Sequence, residues 1–345
     1  MIDIEDKGQL LKYLRETDRI GVSERPTIRT LSGGVSNKTL SLTRSSGESW
    51  VIKQSLPKLR VASDWFSDPA RIQVEANGLR YLPLVTPKGS IAPLLFEDAA
   101  ENILAMESVP DPHQNWKLQL LSGDIDQQSF RQFAQLLGSI HREGSRLRHE
   151  LAPYFGSKQF FRTLRLEPYY GESATVAPEA ASFLEELVTW TLSRSDTLVH
   201  GDFSPKNVLV YRQRLILLDH EVLHLGDPAF DIGFSLTHFL SKALHLPQKR
   251  EALLEAATLY WQSYRNEVHG LPWTPQLDFR AAQHTLASLL ARVCGRSPLE
   301  YLSREECLLQ RRIVIELIKE NSATVDQVIS AFAQKLADEA HGMVS

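Results

Sequence analysis

The chain predicts an α+β protein in two parts: an antiparallel sheet with a packed helix, then a mainly helical body. Three observations carry this. Short alternating segments separated by glycine-containing turns fill the first third. Apolar spacing of three and four residues dominates after the prolines at 110 and 112. Between the two patterns the composition shifts, near 107–113, which places the boundary between 1–108 and 109–345. At 345 residues the chain suits two domains and can bury a large core.

The elements follow in order. Residues 5–18 place Leu10, Leu11 and Leu14 at helical spacing. "TIRTLS" (27–32), the alternating "NKTLSLTR" (37–44) and "WVIKQSL" (50–56) read as an antiparallel meander, with "SSGES" as a turn. "PARIQVEANGLRYL" (69–82) opens with proline at a plausible first helical position and puts Ile72, Glu75, Ala76 and Leu79 on one face. Residues 90–109 read as two more strands joined by an acidic turn. Beyond them, 128–145, 179–193, 248–268, 278–294, 303–320 and 323–338 show helical spacing, with a few strands around 197–219.

Composition narrows the function. A net charge of −4 argues against a nucleic-acid partner, which usually shows as a basic excess. Two cysteines, Cys294 and Cys307, are too few for a disulfide framework and point to a reducing compartment. The charged, amphipathic start lacks the apolar core of a signal peptide, and no run reaches 18 apolar residues. The expectation is a cytoplasmic protein with no membrane partner.

The chemistry concentrates in "LVHGDFSPKNVLV" (198–210). Apolar walls enclose His200, Gly201 and Asp202, and Asn207 follows Asp202 by five positions. Twelve residues on, "LILLDHE" sets Asp219 at the end of a strand, and "GDPAFDIGF" follows. Carboxylates and an amide oxygen are the hard ligands that magnesium takes alongside substrate phosphates. Phosphoryl transfer also needs a carboxylate near the attacking hydroxyl, and the His-x-Asp-x-x-x-x-Asn spacing is that of a kinase catalytic loop.

The first third supplies the matching parts for a nucleotide. Gly33 and Gly34, with Ser36 and Asn37 beyond them, lie between two strands, where glycine lets backbone N–H groups approach phosphates. Lys53 sits inside an apolar strand and Glu75 on the next helix, the pair that positions phosphates in kinases. "GGVSNKT" is not a P-loop: Asn37 stands where that motif requires glycine.

"HGDFSPKN", "LLDHE" and "GDPAFDIGF" resemble the aminoglycoside phosphotransferase and choline kinase superfamily, over roughly residues 25–310. The resemblance implies a bilobal protein-kinase-like fold, with ATP and Mg²⁺ bound between the lobes and a small-molecule hydroxyl as acceptor. Residue by residue, it makes Asp202 the catalytic base, Asn207 and Asp219 the magnesium ligands, Lys53 the phosphate-binding lysine and Glu75 its orienting partner. It makes His200 and Asp231 structural braces of the loop, and it sets the adenine against backbone groups of Glu107 to Val109. "VIKQSLPKLRVASDWFSDPARIQVEANGLRYL" is similar to the corresponding stretch of 5-methylthioribose kinases, through Lys53-Gln54, Leu56-Pro57, Arg60, Trp65, Arg71-Ile72 and Glu75. The loop containing Asn207 follows the general phosphotransferases instead. Together these imply a sugar acceptor such as methylthioribose or a related pentose, with an aminoglycoside-type antibiotic, choline or homoserine as alternatives, and a monomer or homodimer.

Acceptor-side candidates are Arg165 and Tyr169 in "FFRTLRLEPYY", Glu221 beside Asp219, and Arg292 and Arg296 in "LLARVCGRSPLEYL". The two arginines have a second reading as partners of the carboxylates near 221–231. Three other classes compete with this reading. A metallohydrolase would use His200, Asp202, Asp219, His220 and His224, but it leaves Lys53 and Glu75 unexplained. A non-catalytic nucleotide-binding module would ordinarily lack one of the reactive groups. A protein kinase would carry an arginine before Asp202 and Asp-Phe-Gly where Asp-His-Glu stands.

Overall fold

Alternation in the first third becomes one five-stranded antiparallel sheet. The structure, a computed structural model, describes residues 2–31, 34–61 and 64–342. Helix α1 (Lys7–Glu16), capped by the Asp6 carboxylate, precedes β1 (Thr27–Thr30), β2 (Asn37–Thr43) and β3 (Ser49–Ser55). Helix α2 (Arg71–Val85), β4 (Leu94–Asp98) and β5 (Ile103–Glu107) complete this part, with strand order β1-β2-β3-β5-β4.

Both faces of the sheet are covered, and the two-residue period sorts the side chains between them. Ile52, Ile103 and Ala105 join Leu10 and Leu14 of α1 in one apolar cluster. Leu104 and Met106 turn the other way, toward Ile72, Ala76 and Leu79 of α2. Lys53 pairs across the ladder with Leu104 and so faces α2. The strand period therefore delivers a lysine to the helix that carries Glu75.

The second part is helical. Two residues of strand, β6 (Gln114–Asn115), lead into α3 (Trp116–Leu121), α4 (Gln127–Arg146), α5 (Arg148–Phe155) and α6 (Gln159–Phe161). A ten-residue π-helix, Arg162–Gly171, continues α6 and passes into α7 (Glu172–Val176) and α8 (Ala181–Ser193). Four short strands follow: β7 (Thr197–Val199), β8 (Val208–Tyr211), β9 (Arg214–Leu217) and β10 (His224–Gly226). The chain ends in α9 (Ala229–His245), α10 (Arg250–Val268), α11 (Leu277–Cys294), α12 (Arg304–Lys319) and α13 (Val325–Gly342). β7 pairs with β10, and β8 pairs with β6 and β9. These pairings bring the β7–β8 loop, with His200 to Asn207, beside the β9–β10 loop, with Asp219 to Leu223.

Helix α9 is the centre of the body. From Ala229 to Leu244 every residue is buried. It crosses α11 so closely that a Cβ on Gly233 would lie 2.5 Å from the His284 carbonyl carbon. Among the described residues, no helix is long and apolar enough to cross a membrane.

The crossing leaves no room for a methyl group at 233. Gly233→Ala should cost roughly 1–3 kcal/mol of stability, read as a lowered urea midpoint; an unchanged midpoint would show that the helices separate freely.

The buried imidazoles set a second expectation. Burial, above all, holds His200, His220, His224, His238 and His284 below the ordinary histidine range, with His224 at about 4 and His284 at about 3. Below about pH 6.5 the unfolded chain binds protons that the folded one refuses, so unfolding is favoured. Full stability is present above that pH and declines toward the folded values, by about 1.4 kcal/mol per pH unit for each imidazole. Urea titrations between pH 7 and 5 should show a steep loss, and His284→Gln should reduce the slope by one proton. A flat profile would contradict the neutral burial of these groups.

Candidate active site

The loop from His200 to Asn207 is held from below by one carboxylate. Asp231, in the first turn of α9 and fully buried, accepts the His200 amide at 2.7 Å and the Gly201 amide at 2.8 Å. His141 of α4 approaches the same carboxylate at 3.3 Å. Burial alone would raise this carboxyl; the His141 imidazole and the backbone donors win and hold it below its ordinary range. Gly201 adopts φ +77°, and a Cβ there would meet Val222 at 2.9 Å, so the turn admits glycine only. Phe203 stacks on Phe133 at 4.1 Å, and the Ser235 hydroxyl donates to its carbonyl at 2.8 Å.

This bracing presents Asp202 at the rim, 9% exposed. Asn207 donates to the Asp202 carboxylate at 2.7 Å and to its carbonyl at 3.0 Å. Arg165, from the π-helix, reaches the same carboxylate oxygen at 2.8 Å and the Gly201 carbonyl at 3.0 Å. Burial opposes the Arg165 charge, but Asp202 more than offsets it and raises the guanidinium above its ordinary value. Arg165 is thus engaged with Asp202, a partnership that its sequence setting does not signal. His200 Nε2 lies 3.1 Å from His220 Nδ1, beneath the loop.

The sheet contributes the facing half. The Lys53 ammonium lies 2.5 Å from Glu75 and 3.2 Å from Asp219. Burial would strip its proton; Glu75 and Asp219 outweigh burial and hold it above the ordinary lysine range. Asp219 is held below the carboxylate range, burial being outweighed by Lys53, Lys206 and Arg165. Glu75 is pushed up to about 7 by burial, opposed by Lys53 and reinforced by Asp219 and Glu221. Asp219 itself has φ +65°, a left-handed backbone that a non-glycine residue rarely adopts.

A second cross-connection was not assigned from the sequence. Arg71, fully buried on the Glu75 face of α2, donates to Glu221 at 3.0 Å. It also donates to the carbonyls of Ser67, Asp68, Leu56 and Ser36. Asn37 donates to the same Glu221 oxygen at 3.3 Å. The strand before α2 and the loop before β2 are thereby tied to the β9–β10 loop. The spacing of Arg71 and Glu75, four apart on one helical face, was the available signal.

The other candidates fall as follows. Asn37 opens β2, and Gly34 and Ser36 lie in the segment just before it; Gly33 lies outside the described residues. The Glu107 amide is taken by the Pro93 carbonyl and that of Ser108 by Ser49, whereas Val109 has no backbone partner among the described residues. Tyr169 is buried, with Arg165 and Arg292 guanidinium carbons 5.8 and 5.6 Å from its ring. The reading that pairs Arg292 and Arg296 with the carboxylates near 221–231 is corrected. Arg292 donates to Ser297 and, at 3.4 Å, to the Tyr169 hydroxyl, and Arg296 pairs with Glu172 at 2.9 Å. α11 and the segment after it turn these side chains toward the π-helix and away from the β9–β10 loop.

The His/Asp metal cluster does not assemble either. His224 turns onto the Val222 carbonyl and stacks on Phe161. Among the described residues, the group whose ligand atoms come within 4.8 Å of one another is Glu75, Asp219 and Glu221. All three are oxygen donors, the chemistry of a hard divalent cation. The Asn207 side-chain oxygen meets no hydrogen-bond donor among the described residues.

Comparison with known proteins bears on the family and the fold. Residues 27–266 match the model of the phosphotransferase enzyme family. The methylthioribose kinase of Pectobacterium carotovorum is 23% identical over 331 residues, 85% of this chain and 82% of the relative. That of Yersinia pseudotuberculosis serotype O:3 is 23% identical over 83% of this chain and 78% of the relative. Among solved structures, the fold is that of a macrolide 2′-phosphotransferase from Brachybacterium faecium (TM-score 0.52, 17% identity, 96% of this chain and 98% of that one). It is also that of a choline/ethanolamine kinase family protein from Mesorhizobium loti (TM-score 0.55, 13% identity, 96% and 100%). An amicoumacin kinase solved with AMP-PNP and Ca²⁺ shares it too (TM-score 0.55, 16% identity, 86% and 90%). A sheet-rich part joined to a helical one in this bilobal, kinase-like arrangement is the fold expected from the sequence, and the chain belongs to the phosphotransferase enzyme family.

Proposed function

We propose that the protein is an ATP- and Mg²⁺-dependent kinase that phosphorylates a hydroxyl of a sugar, methylthioribose or a related pentose. The observation that carries this reading is the convergence of two built halves: Lys53 of β3, paired with Glu75 of α2, meets Asp219, while Asp202 and Asn207 stand on one braced loop. The sugar class is supported by the methylthioribose kinases, which align over most of their length.

In this reading the acceptor hydroxyl lies at Asp202. Its oxygen attacks the γ-phosphorus, the bond to the ADP oxygen breaks, and the hydroxyl proton passes to the Asp202 carboxylate. Arg165 and Asn207 both hold one oxygen of that carboxylate, which leaves the other for the hydroxyl proton. Lys53 offsets charge on the nucleotide phosphates, and Glu75 keeps its ammonium in place. Asn207 and Asp219 are the residues that would hold Mg²⁺, with Glu221 in reach, and the ion would neutralise phosphate charge. Ser36 and Asn37, with the glycine loop before them, cover the phosphates. The unpartnered Val109 backbone, with Glu107, receives the adenine. Arg71 keeps the covering loop and Glu221 together.

Asp202→Asn should lower the turnover number by about 10²–10⁴-fold while calorimetry still detects Mg-ATP binding; near-normal turnover would remove Asp202 from the chemistry. Lys53→Ala should raise the KM for ATP or depress kcat while leaving the acceptor KM near its original value. Steady-state kinetics in both substrates would decide this, and unchanged ATP parameters would count against the assignment.

A further inference from the structure

Next to the proposed acceptor side lies a group of cations with too few carboxylates. Lys117 of α3, Lys242 of α9 and Arg292 of α11 converge there, and the chain between α11 and α12 covers them. Lys242 is fully buried, donates to the His238 carbonyl at 3.2 Å, and lies 5.0 Å from the centre of the Tyr301 ring. Lys117 pairs with Glu300. Among the described residues no carboxylate lies within ion-pair distance of Lys242 or Arg292. The field is accordingly positive. Lys242 is pushed down to about 7 by burial and by Lys117 and Arg292, with Glu300 opposing. His238 is driven well down by burial, then by Lys242, Arg292, Lys117 and Lys206.

Such a group is costly as mere packing, because buried like charges lose hydration and repel. It also holds unspent donors: Arg292 Nε and the Tyr301 hydroxyl are buried with no hydrogen-bond partner. An oxyanion would answer both deficits through charge-assisted hydrogen bonds. Glu300 already places a carboxylate at the edge of the group, on a side chain 63% exposed. Water therefore reaches this point, and so could a ligand.

The group is connected to the loop that carries Asp202 through its neighbours. Arg292 and Arg165 flank the Tyr169 ring, and Arg165 holds the Asp202 carboxylate. On the other side, Asn115, two residues before Lys117, donates to the Lys206 carbonyl at 2.7 Å.

We propose that the acceptor carries an oxyanion, a carboxylate or a phosphate, bound by Arg292, Lys242 and Lys117 where Glu300 now stands, with its reacting hydroxyl at Asp202. This rests on the kinase reading and narrows its sugar class to an acidic pentose in place of methylthioribose itself. Glu300 then acts as an internal occupant that the acceptor displaces, and Tyr301 moves with it to uncover Lys242.

The test compares ribose, methylthioribose, ribonate and ribose 5-phosphate as acceptors with Mg-ATP, monitored by mass spectrometry and coupled ADP release. The expected result is a kcat/KM at least tenfold higher for an acidic acceptor than for either neutral one; ribonate against ribose 5-phosphate distinguishes the two sources of charge. Lys242→Met and Lys117→Met should each raise the KM for that acceptor while the KM for ATP holds. Glu300→Gln should lower it, the opposite of what loss of a structural tie would do. Faster turnover of the neutral sugars, or acidic-acceptor KM values that do not respond in Lys117→Met and Glu300→Gln, would overturn the proposal and leave the kinase intact. If none is turned over, the four compounds are titrated against protein saturated with Mg-AMP-PNP. Selective stabilisation by an acidic compound that is lost in Lys117→Met supports the proposal; its absence overturns it. Failure to bind Mg-AMP-PNP at all would instead strike the kinase reading.

Discussion

The Asp231 carboxylate determines where the loop from His200 to Asn207 can stand. It lies fully buried at the start of α9 and receives two consecutive amides of the loop together with the His141 imidazole. Those amides cannot pair with a neighbouring strand, because the chain turns at Gly201 with φ +77°. Without the carboxylate, two buried N–H groups would stay unsatisfied, at roughly 1–3 kcal/mol each. The helix N-terminus adds its own partial positive charge and favours the ionised form. One interaction thus joins α4, α9 and the loop, and through the loop it sets Asp202 and Asn207. The immobility of α9 follows from its close crossing with α11 at Gly233, so the loop rests on an element that cannot shift without disturbing the core.

The link to the sheet depends on charges with more than one available partner. Lys53 lies between Glu75 and Asp219, and Glu221 lies between Arg71 and Asn37. Glu75, Asp219 and Glu221 together bring three carboxylates close enough to bind one cation. Repulsion among them is offset by Lys53 and Arg71, and at Asp219 by Lys206 and Arg165 as well. A cation entering this group would compete with those two side chains for the same oxygens. Closure of the two parts and occupation by metal are therefore connected through Glu221 and Asp219, and Arg71 carries the connection to the loop at Ser36.

Much of this was legible in the sequence, for physical reasons that can be named. Alternation at 37–44 and 50–56 is obeyed because the sheet buries opposite faces against different helices, so Lys53 had to face α2. The polar break in 198–210 is a loop because strands on both sides wall it in. Helix α9 escaped the periodicity reading although Asp231, Ser235, His238, Lys242 and His245 recur at helical spacing. Its polar stripe, buried from Asp231 to Lys242, faces other elements and not water, so it does not read as a surface helix. The π-helix at Arg162–Gly171 has no sequence signature of its own, and its wider turn decides that Arg165 meets Asp202. Arg71 was visible as a residue but not as a hub, since its acceptors are backbone carbonyls scattered along 36–68, which no side-chain pattern reports. Likewise Arg292 and Arg296 diverge to Tyr169 with Ser297 and to Glu172, a choice made by the tertiary path of α11.

The resulting site is electrically divided. Carboxylates gather around Lys53, on the side of the sheet, whereas Lys117, Lys242 and Arg292 gather beyond Tyr169 with Glu300 as their nearby acid. Asp202 is linked to the cationic side through Arg165 and the Tyr169 ring, and its loop meets the acidic side where the Leu218 amide donates to the Asn207 carbonyl at 2.9 Å. Phosphate transfer moves negative charge from the nucleotide toward the acceptor, so a positive acceptor side lowers the energy of that displacement while acids with a bound cation would retain the nucleotide. The same division imposes an orientation: a ligand with a hydroxyl at one end and an oxyanion at the other can enter in only one direction without placing like charges together. On the proposed reading, charge order would then select which hydroxyl meets Asp202.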